Sequence, residues 1–209
     1  MVHAVDLEKI KFHLLAVSVA ADLSDVKAQG EAISLEAMNA KVLVARAGSM
    51  GLGFRPITDF MVQLAEDTIR LVREIEAEAL AVAHQAVERL RTANAVKLAR
   101  KAEAISRSTN AKWGDQLRIF VEQVNARDQQ TVSELLGHAQ RLTKLLDEIA
   151  SQMLAARAVS SSIRIESATI EARHSQSFQS VANNLQDCSS SVLTKVKSNL
   201  RTLNRALNS

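Results

Sequence analysis

The sequence predicts an all-α protein composed of a few very long helices. Aromatic residues account for only 3% of the 209 residues, and β-branched residues are also too few for a sheet protein. The 47% apolar content is ample for a packed core. Ala, Leu, Arg, Lys, Glu and Gln fill the intervals between helix breakers, and these residues lose little conformational freedom on entering a helix.

Three of the six glycines and the only proline lie in one short segment, 46–56, where a long helix must turn. In the first helix, before this segment, the apolar positions step by alternating threes and fours, as in a coiled-coil seam. We expect one narrow stripe to face the other helices: Leu7, Ile10, Leu14, Val17, Ala21, Ser24, Ala28, Glu31, Leu35, Met38, Val42 and Ala45.

The second helix has Pro56 in its first turn, where the missing N–H costs nothing, and extends to about Ser106. Its inward positions are Ile57, Met61, Leu64, Thr68, Leu71 and Ile75. The third helix follows the segment 110–115, with Asp115 suited to its N-cap. Its inward stripe is Leu117, Val121, Val124, Asp128, Thr131, Leu135, His138, Leu142, Leu145, Ile149 and Gln152. A break near 174–177 precedes the fourth helix, which turns inward Phe178, Val181, Leu185, Cys188, Val192, Val196, Leu200, Leu203 and Leu207.

These turns make the second and third helices the longest, each about 80 Å at 1.5 Å per residue. Antiparallel connections place the first and third turns at one end. The expected architecture is an elongated antiparallel four-helix bundle, a single rod over 1–209, with 1–107 and 108–209 as two helical hairpins. A faint repeat agrees with this: Ile33-Ser34-Leu35-Glu36 resembles Ile163-Arg164-Ile165-Glu166, and a turn and a phenylalanine follow each copy.

Composition and motifs argue against several classes of protein. No run of eighteen apolar residues exists and the start lacks a signal-peptide layout, so we expect a cytoplasmic protein. The one cysteine, Cys188, excludes an intramolecular disulfide and a Cys-rich zinc site and is expected to be a small core residue. Glu171 and His174 have the Glu-x-x-His spacing of di-iron bundles, but the second copy that such bundles need is missing. His138 is expected to be a hydrogen-bonded core residue, so we expect no enzyme, no cofactor and no metal.

The segment Met38-Asn39-Ala40-Lys41-Val42-Leu43-Val44-Ala45-Arg46-Ala47-Gly48-Ser49-Met50-Gly51-Leu52-Gly53-Phe54 resembles the cytoplasmic hairpin tip of methyl-accepting chemotaxis receptors. The matching positions are Asn39, Arg46, Ala47, Gly48, Gly51, Gly53, Phe54 and Leu64-Ala65. The chain also departs from the family within this segment. Leu43 stands where the family has its motif glutamate, and Leu52 stands where the family has a basic residue. The resemblance covers about 33–66, and a decayed second tip without glycines covers about 163–186.

Receptor dimers of this family pair two hairpins into a four-helix bundle with both tips at one end. The resemblance therefore implies a single-chain imitation of a receptor dimer. It also implies that the tip docks a chemotaxis histidine kinase, a coupling adaptor or other chemoreceptors, with the departures altering partner choice. The family is methylated on Glu and Gln side chains, but Gln129 and Gln130 fit the pattern poorly and are expected to be solvated surface residues.

The tip residues have both structural and functional interpretations. The three glycines could serve only to turn the backbone through positive φ, and Phe54 is expected to plug the core beneath the turn. Arg46 could cap helix-end carbonyls or reach a partner's carboxylate. Apolar residues alternate with glycines where a purely structural turn would be polar, which favours a contact surface. We predict a protein-binding tip with these members: Asn39, Arg46, Gly48, Met50, Gly51, Leu52, Gly53 and Phe54.

The charge pattern offers an alternative function. Eight basic and three acidic side chains lie between Glu88 and Arg118, although the whole chain carries a net charge of only +3. Such a region could bind nucleic acid or an anionic membrane, although the small net charge of the whole chain favours a solvated helical face. Its members include Arg89, Arg91, Lys97, Arg100, Lys101, Arg107 and Lys112, with Trp113 beside them. Self-association and a monomeric state are equally compatible with the sequence.

Overall fold

The computed structural model describes residues 2–108, 114–170 and 172–207, and the side chains of residues 19, 25–107, 115–170 and 174–207. The helices are α1 (Val2–Ala47), α2 (Arg55–Ser108), α3 (Gly114–Ser167) and α4 (Ala172–Leu207), with a short 3-10 helix, Gly48–Phe54, between α1 and α2. Every described residue is helical except 168–170. The all-α prediction is confirmed, and α2 and α3 are the longest helices at 54 residues each.

The chain divides into two compact units. The first unit comprises Met1–Ser18, Glu78–Leu142 and Leu203–Ser209, and the second comprises Val19–Ala77 and Thr143–Thr202. Each unit therefore draws on segments that are far apart in sequence, because the long helices pass through both.

The second unit is an antiparallel four-helix bundle. Each helix contacts the next one around the bundle through polar side chains. Neighbouring helices run in opposite directions. These contacts are Lys41 Nζ to Asp59 Oδ1 at 3.0 Å, Thr68 Oγ1 to Gln152 Oε1 at 3.2 Å, Ser160 Oγ to Gln186 Oε1 at 2.8 Å, and Asn184 Nδ2 to Glu36 Oε1 at 2.8 Å. Between them they join α1 to α2, α2 to α3, α3 to α4 and α4 to α1, which closes the bundle.

The inward stripe predicted for α1 is wrong where side chains are described. Ala28, Glu31, Leu35, Met38, Val42 and Ala45 are exposed, and the buried positions are Val26, Gly30, Ile33, Ala37, Ala40, Val44 and Ala47. Both sets step by threes and fours, so spacing alone could not separate them. The buried set is rich in Gly and Ala, which let α1 approach its neighbours closely: a Cβ on Gly30 would lie 3.4 Å from Thr68. The predicted members from Leu7 to Ser24 lie outside the described side chains.

The other three stripes agree with the structure. Met61, Leu64, Thr68, Leu71 and Ile75 of α2 are all buried, and the predicted positions of α3 and α4 are buried or half-buried. Cys188 is half-buried on α4. Burial raises the pKa of its thiol, and the carboxylates of Glu36 and Asp187 add to the rise.

Two predicted helix boundaries need correction. The break expected at 174–177 lies instead at 168–170, so His174 and its serine neighbours belong to α4. The chain leaves α3 through three-residue backbone bonds, Ala168 N–H to Ile165 C=O and Thr169 N–H to Glu166 C=O, which tighten the last turn without a glycine. Asp115 lies inside the first turn of α3, which begins at Gly114, and there its charge favours the helix N-terminus.

In the first unit, α2 and α3 also run antiparallel. Thr92 Oγ1 lies 3.0 Å from Asp128 Oδ1, and Arg100 Nη2 donates to Asn125 Oδ1 at 3.2 Å. The inward position predicted for Asp128 is therefore occupied by a half-buried carboxylate with a partner. Among the described residues, no helix is both long enough and apolar enough to cross a membrane.

Candidate protein-binding site at the paired bends

Two helix-to-helix bends meet in the second unit. The first is the 3-10 helix Gly48–Phe54, and the second is the connection at 168–170. The rings of Phe54 and Phe178 stack with their centroids 3.9 Å apart and an interplanar angle of 14°. Both side chains are fully buried, so the predicted core role of Phe54 is confirmed. The stack joins the two bends at one end of this unit, as the sequence predicted.

The three glycines of the first bend serve different purposes. Only Gly48 has a positive φ, 59°, so the expectation of positive φ at Gly51 and Gly53 is wrong. Gly51 is required by close approach, because a Cβ there would lie 2.7 Å from the backbone oxygen of Val44. A Cβ on Gly53 would collide with the carboxylate of Glu166, which lies in the last turn of α3, just before the second bend. Gly51 thus lets the first bend pack against its own helix α1, and Gly53 leaves room for the Glu166 side chain.

The outward face of the first bend is apolar. Met50 and Leu52 are about half exposed, on either side of the buried Gly51. This arrangement agrees with the predicted contact surface for these two residues. Gly51 and Phe54, by contrast, are buried and shape the bend without reaching solvent, so they are not contact residues of a tip.

Further large apolar side chains are exposed on α1, before the bend. The positions Leu35, Met38 and Val42, which the sequence analysis placed in the core, are 50–61% exposed and recur at heptad spacing. Together with Met50 and Leu52 they form what we call the apolar stripe. The sequence analysis assigned Leu35, Met38 and Val42 to the wrong face of α1, whereas Met50 and Leu52 are exposed as it predicted.

The polar members of the predicted tip accompany the apolar stripe. Asn39 and Arg46 are exposed on α1, and Arg46 is the basic residue of its last turn. The side chain of Arg46 forms no hydrogen bond or ion pair with any residue that the structure describes, so it does not cap the helix there. Lys41, by contrast, is paired with Asp59 of α2. Arg46 is thus a cation available to a partner beside an apolar surface.

A second polar cluster lies in the first unit. Glu78 Oε1 accepts a hydrogen bond from Arg141 Nε at 2.8 Å and lies 2.7 Å from His138 Nδ1. Burial raises the pKa of Glu78, but the hydrogen bonds from Arg141 and His138 outweigh it and hold that pKa below its ordinary value. His138 is half-buried and hydrogen-bonded, as expected from the sequence. The arrangement is that of a partly exposed ion pair across two helices, since the Arg141 side chain is 57% exposed and that of Glu78 is 17% exposed.

A groove of about 800 Å³ in the first unit is lined mostly by polar side chains of α2 and α3, including His84, Glu88, Arg127 and Glu134. Glu88 is paired with Arg91, and Glu134 accepts a hydrogen bond from Gln130. Gln129 and Gln130 are exposed, as expected. Within the described ranges, no group of three or more His, Cys, Asp and Glu side chains could hold a metal ion. Glu171 lies outside those ranges.

The predicted basic region divides into paired and unpaired residues. Arg91 and Arg107 form ion pairs with Glu88 and Glu103 of their own helix, which offsets their charge. Arg89 is half-buried, whereas Lys97, Arg100 and Lys101 are exposed. Lys112 and Trp113 lie outside the described residues.

Comparison of the chain with protein-family models, with curated proteins and with solved structures gives no match in any of the three.

Proposed function

We propose that this chain is a non-enzymatic signalling or scaffold protein that binds other proteins through the apolar stripe at its paired bends. The observation that carries the proposal is the exposure of five large apolar side chains, 45–61% each, along α1 and the first bend. Isolated exposed apolar residues are common on protein surfaces. Five of them on one helix and its adjoining bend, together with an unpaired arginine, are typical of a protein-binding surface.

The free energy that burial of the apolar stripe can supply is that of a weak contact, which binding of many copies would strengthen. Burying a whole Leu, Val or Met side chain is worth about 1.5–3 kcal/mol, so burying the exposed half of each contributes roughly 1 kcal/mol. Five such residues supply about 5 kcal/mol, close to the lower limit of the cost of association. A single contact of this size is weak, so the surface suits an assembly in which many copies bind together.

The partner class comes from the resemblance to the chemotaxis receptor tip. Asn39, Arg46 and the glycine bend occupy the family positions, and the stacking of Phe54 on Phe178 puts a second, glycine-free bend beside the first. We therefore propose chemotaxis-type histidine kinase, coupling adaptor or receptor bundles as partners. Leu43 and Leu52 replace polar family residues, so we expect a partner preference that differs from that of an ordinary receptor.

Co-sedimentation with reconstituted arrays of receptor signalling domains, histidine kinase and coupling adaptor tests the proposal. The test variant carries Met50→Glu and Leu52→Glu, which places charges on the exposed face and leaves the buried Phe54 and Gly51 intact. Leu80→Glu is the matched control, because Leu80 is exposed but belongs to the first unit. Binding that is lost in the test variant and retained in the control supports the proposal. If neither the wild-type chain nor the variants sediment with the arrays, these partners are wrong.

A further inference from the structure

The first unit exposes large apolar side chains where α2 and α3 approach their connection. Leu98 and Ile105 of α2 and Ile119 and Phe120 of α3 are 50–68% exposed. They lie within about three turns of the ends of these helices at Ser108 and Gly114. Basic residues are interspersed with them, and we call the combined surface the apolar-basic end. Its members are Lys97, Leu98, Arg100, Lys101, Ile105, Arg118, Ile119 and Phe120.

The spacing on α2 places apolar and basic side chains on one face. Leu98, Lys101 and Ile105 follow the i, i+3, i+7 pattern, so they are neighbours along the helix surface. The inward positions of the same segment, Thr92, Ala99 and Ser106, are buried at seven-residue spacing. The helix therefore has a packed side and a separate solvent side, and the solvent side carries the apolar residues.

Of the four cations on this surface, Arg118 lies 4.0 Å from the carboxylate of Asp115, and the other three have no acidic partner among the described residues. In the part of the chain that the structure describes, no ion pair involves Lys97 or Lys101, and Arg100 donates to the neutral amide of Asn125. The region from Glu88 to Arg118 has an excess of five positive charges, whereas the whole chain has a net charge of +3. The remainder of the chain is therefore net negative, and the positive charge is concentrated in the region 88–118, which contains this surface.

We propose that the apolar-basic end docks on the surface of an anionic lipid bilayer. Leu98, Ile105 and Phe120 enter the headgroup boundary, while the lysines contact lipid phosphates and carboxylates. Interfacial helices combine these two residue types, since apolar burial and attraction to anionic lipid act together. Nucleic acid would satisfy the cations but leave the exposed aliphatic side chains in water, because base stacking uses aromatic rings.

Sedimentation of the full chain with vesicles tests this inference. One vesicle contains phosphatidylcholine with phosphatidylserine, and the other contains phosphatidylcholine alone. We expect binding to the anionic vesicle that falls as salt is added, and much weaker binding to the neutral one. Trp113 is the only tryptophan and the chain has no tyrosine, so intrinsic fluorescence reports on the α2–α3 connection. A blue shift of its emission with the anionic vesicle is also expected.

Two variants separate the electrostatic and apolar contributions. Lys97→Gln with Lys101→Gln is expected to weaken vesicle binding about 30-fold, because each lysine near an anionic surface contributes about fivefold. The variant Leu98→Ser with Ile105→Ser keeps the charge, and we expect it to weaken vesicle binding by about tenfold or more. The matched controls are Lys144→Gln with Lys197→Gln, and Leu154→Ser, at exposed positions of the second unit. These controls are expected to bind as the wild type does.

The alternatives give distinct results. Retention of duplex DNA at a salt concentration where no vesicle binds would assign the basic residues to a polyanion and overturn the inference. Unchanged vesicle binding by the Leu98→Ser, Ile105→Ser variant would overturn it too, since simple charge attraction would then suffice. Circular dichroism of each variant confirms that exposed substitutions leave the helices intact. The test variant of the array co-sedimentation, Met50→Glu with Leu52→Glu, lies in the other unit, so the two proposals fail independently.

Discussion

Replacing Phe54 with alanine tests whether the two bends are joined by their stacked rings. Phe54 is fully buried, and removal of a buried phenylalanine costs about 3–5 kcal/mol. The stacking itself contributes roughly 0.5–1.5 kcal/mol beyond buried area. A double-mutant cycle with Phe178→Ala should therefore give a combined loss that is smaller than the sum of the single losses by about 1 kcal/mol.

The assay is denaturant unfolding followed by far-ultraviolet circular dichroism, with amide hydrogen exchange at the helix ends beside Gly48–Phe54 as a local readout. Exchange is needed because the chain has two compact units, which can unfold in separate transitions. Phe60→Ala is the control, since Phe60 is 43% exposed on α2 in the same unit and should cost less than about 1 kcal/mol. A Phe54→Ala loss below about 1 kcal/mol, or strict additivity in the cycle, would refute the proposed joining of the bends.

Three further predictions concern stability. By chemical denaturation, Ile33→Ala should lower the free energy of unfolding by about 2–4 kcal/mol and Leu35→Ala by less than about 1 kcal/mol. The reason is that the first side chain is buried and the second is exposed. Equal losses would contradict the assignment of the α1 face. Gly51→Ala should destabilise more than the roughly 1–3 kcal/mol expected for Gly48→Ala, because its Cβ meets a backbone oxygen that cannot move aside, and thermal melts of both variants compare them. The pKa of Glu78 is lowered on folding, so its ionised form contributes stability that is present above the ordinary value of 4.5 and is lost as pH falls below it. In the Glu78→Gln variant, the free energy of unfolding should depend less on pH in that acidic range. An unchanged pH profile would show that this ion pair does not stabilise the fold.

The glycine and proline bend was predictable because breakers act locally. Gly48 needs positive φ, Pro56 suits a first turn, and both constraints can be read from the residues themselves. The predicted position of the second bend was wrong by about six residues, because that bend contains neither glycine nor proline. Its position depends on the register in which Phe178 meets Phe54 and Glu166 meets Gly53, and those contacts join segments more than one hundred residues apart.

The helical fold class, the number of long helices and the antiparallel pairing are determined by the sequence, since helix propensity and breaker positions are local properties. The face that α1 presents to the core was decided only by the tertiary structure. Two heptad stripes compete on that helix, and the buried one, with Gly30, Ala37 and Ala40, lets the backbones approach closely. The side chains of Leu35 and Met38 are too large for that close contact between helices. They lie at the surface instead, in the proposed binding site.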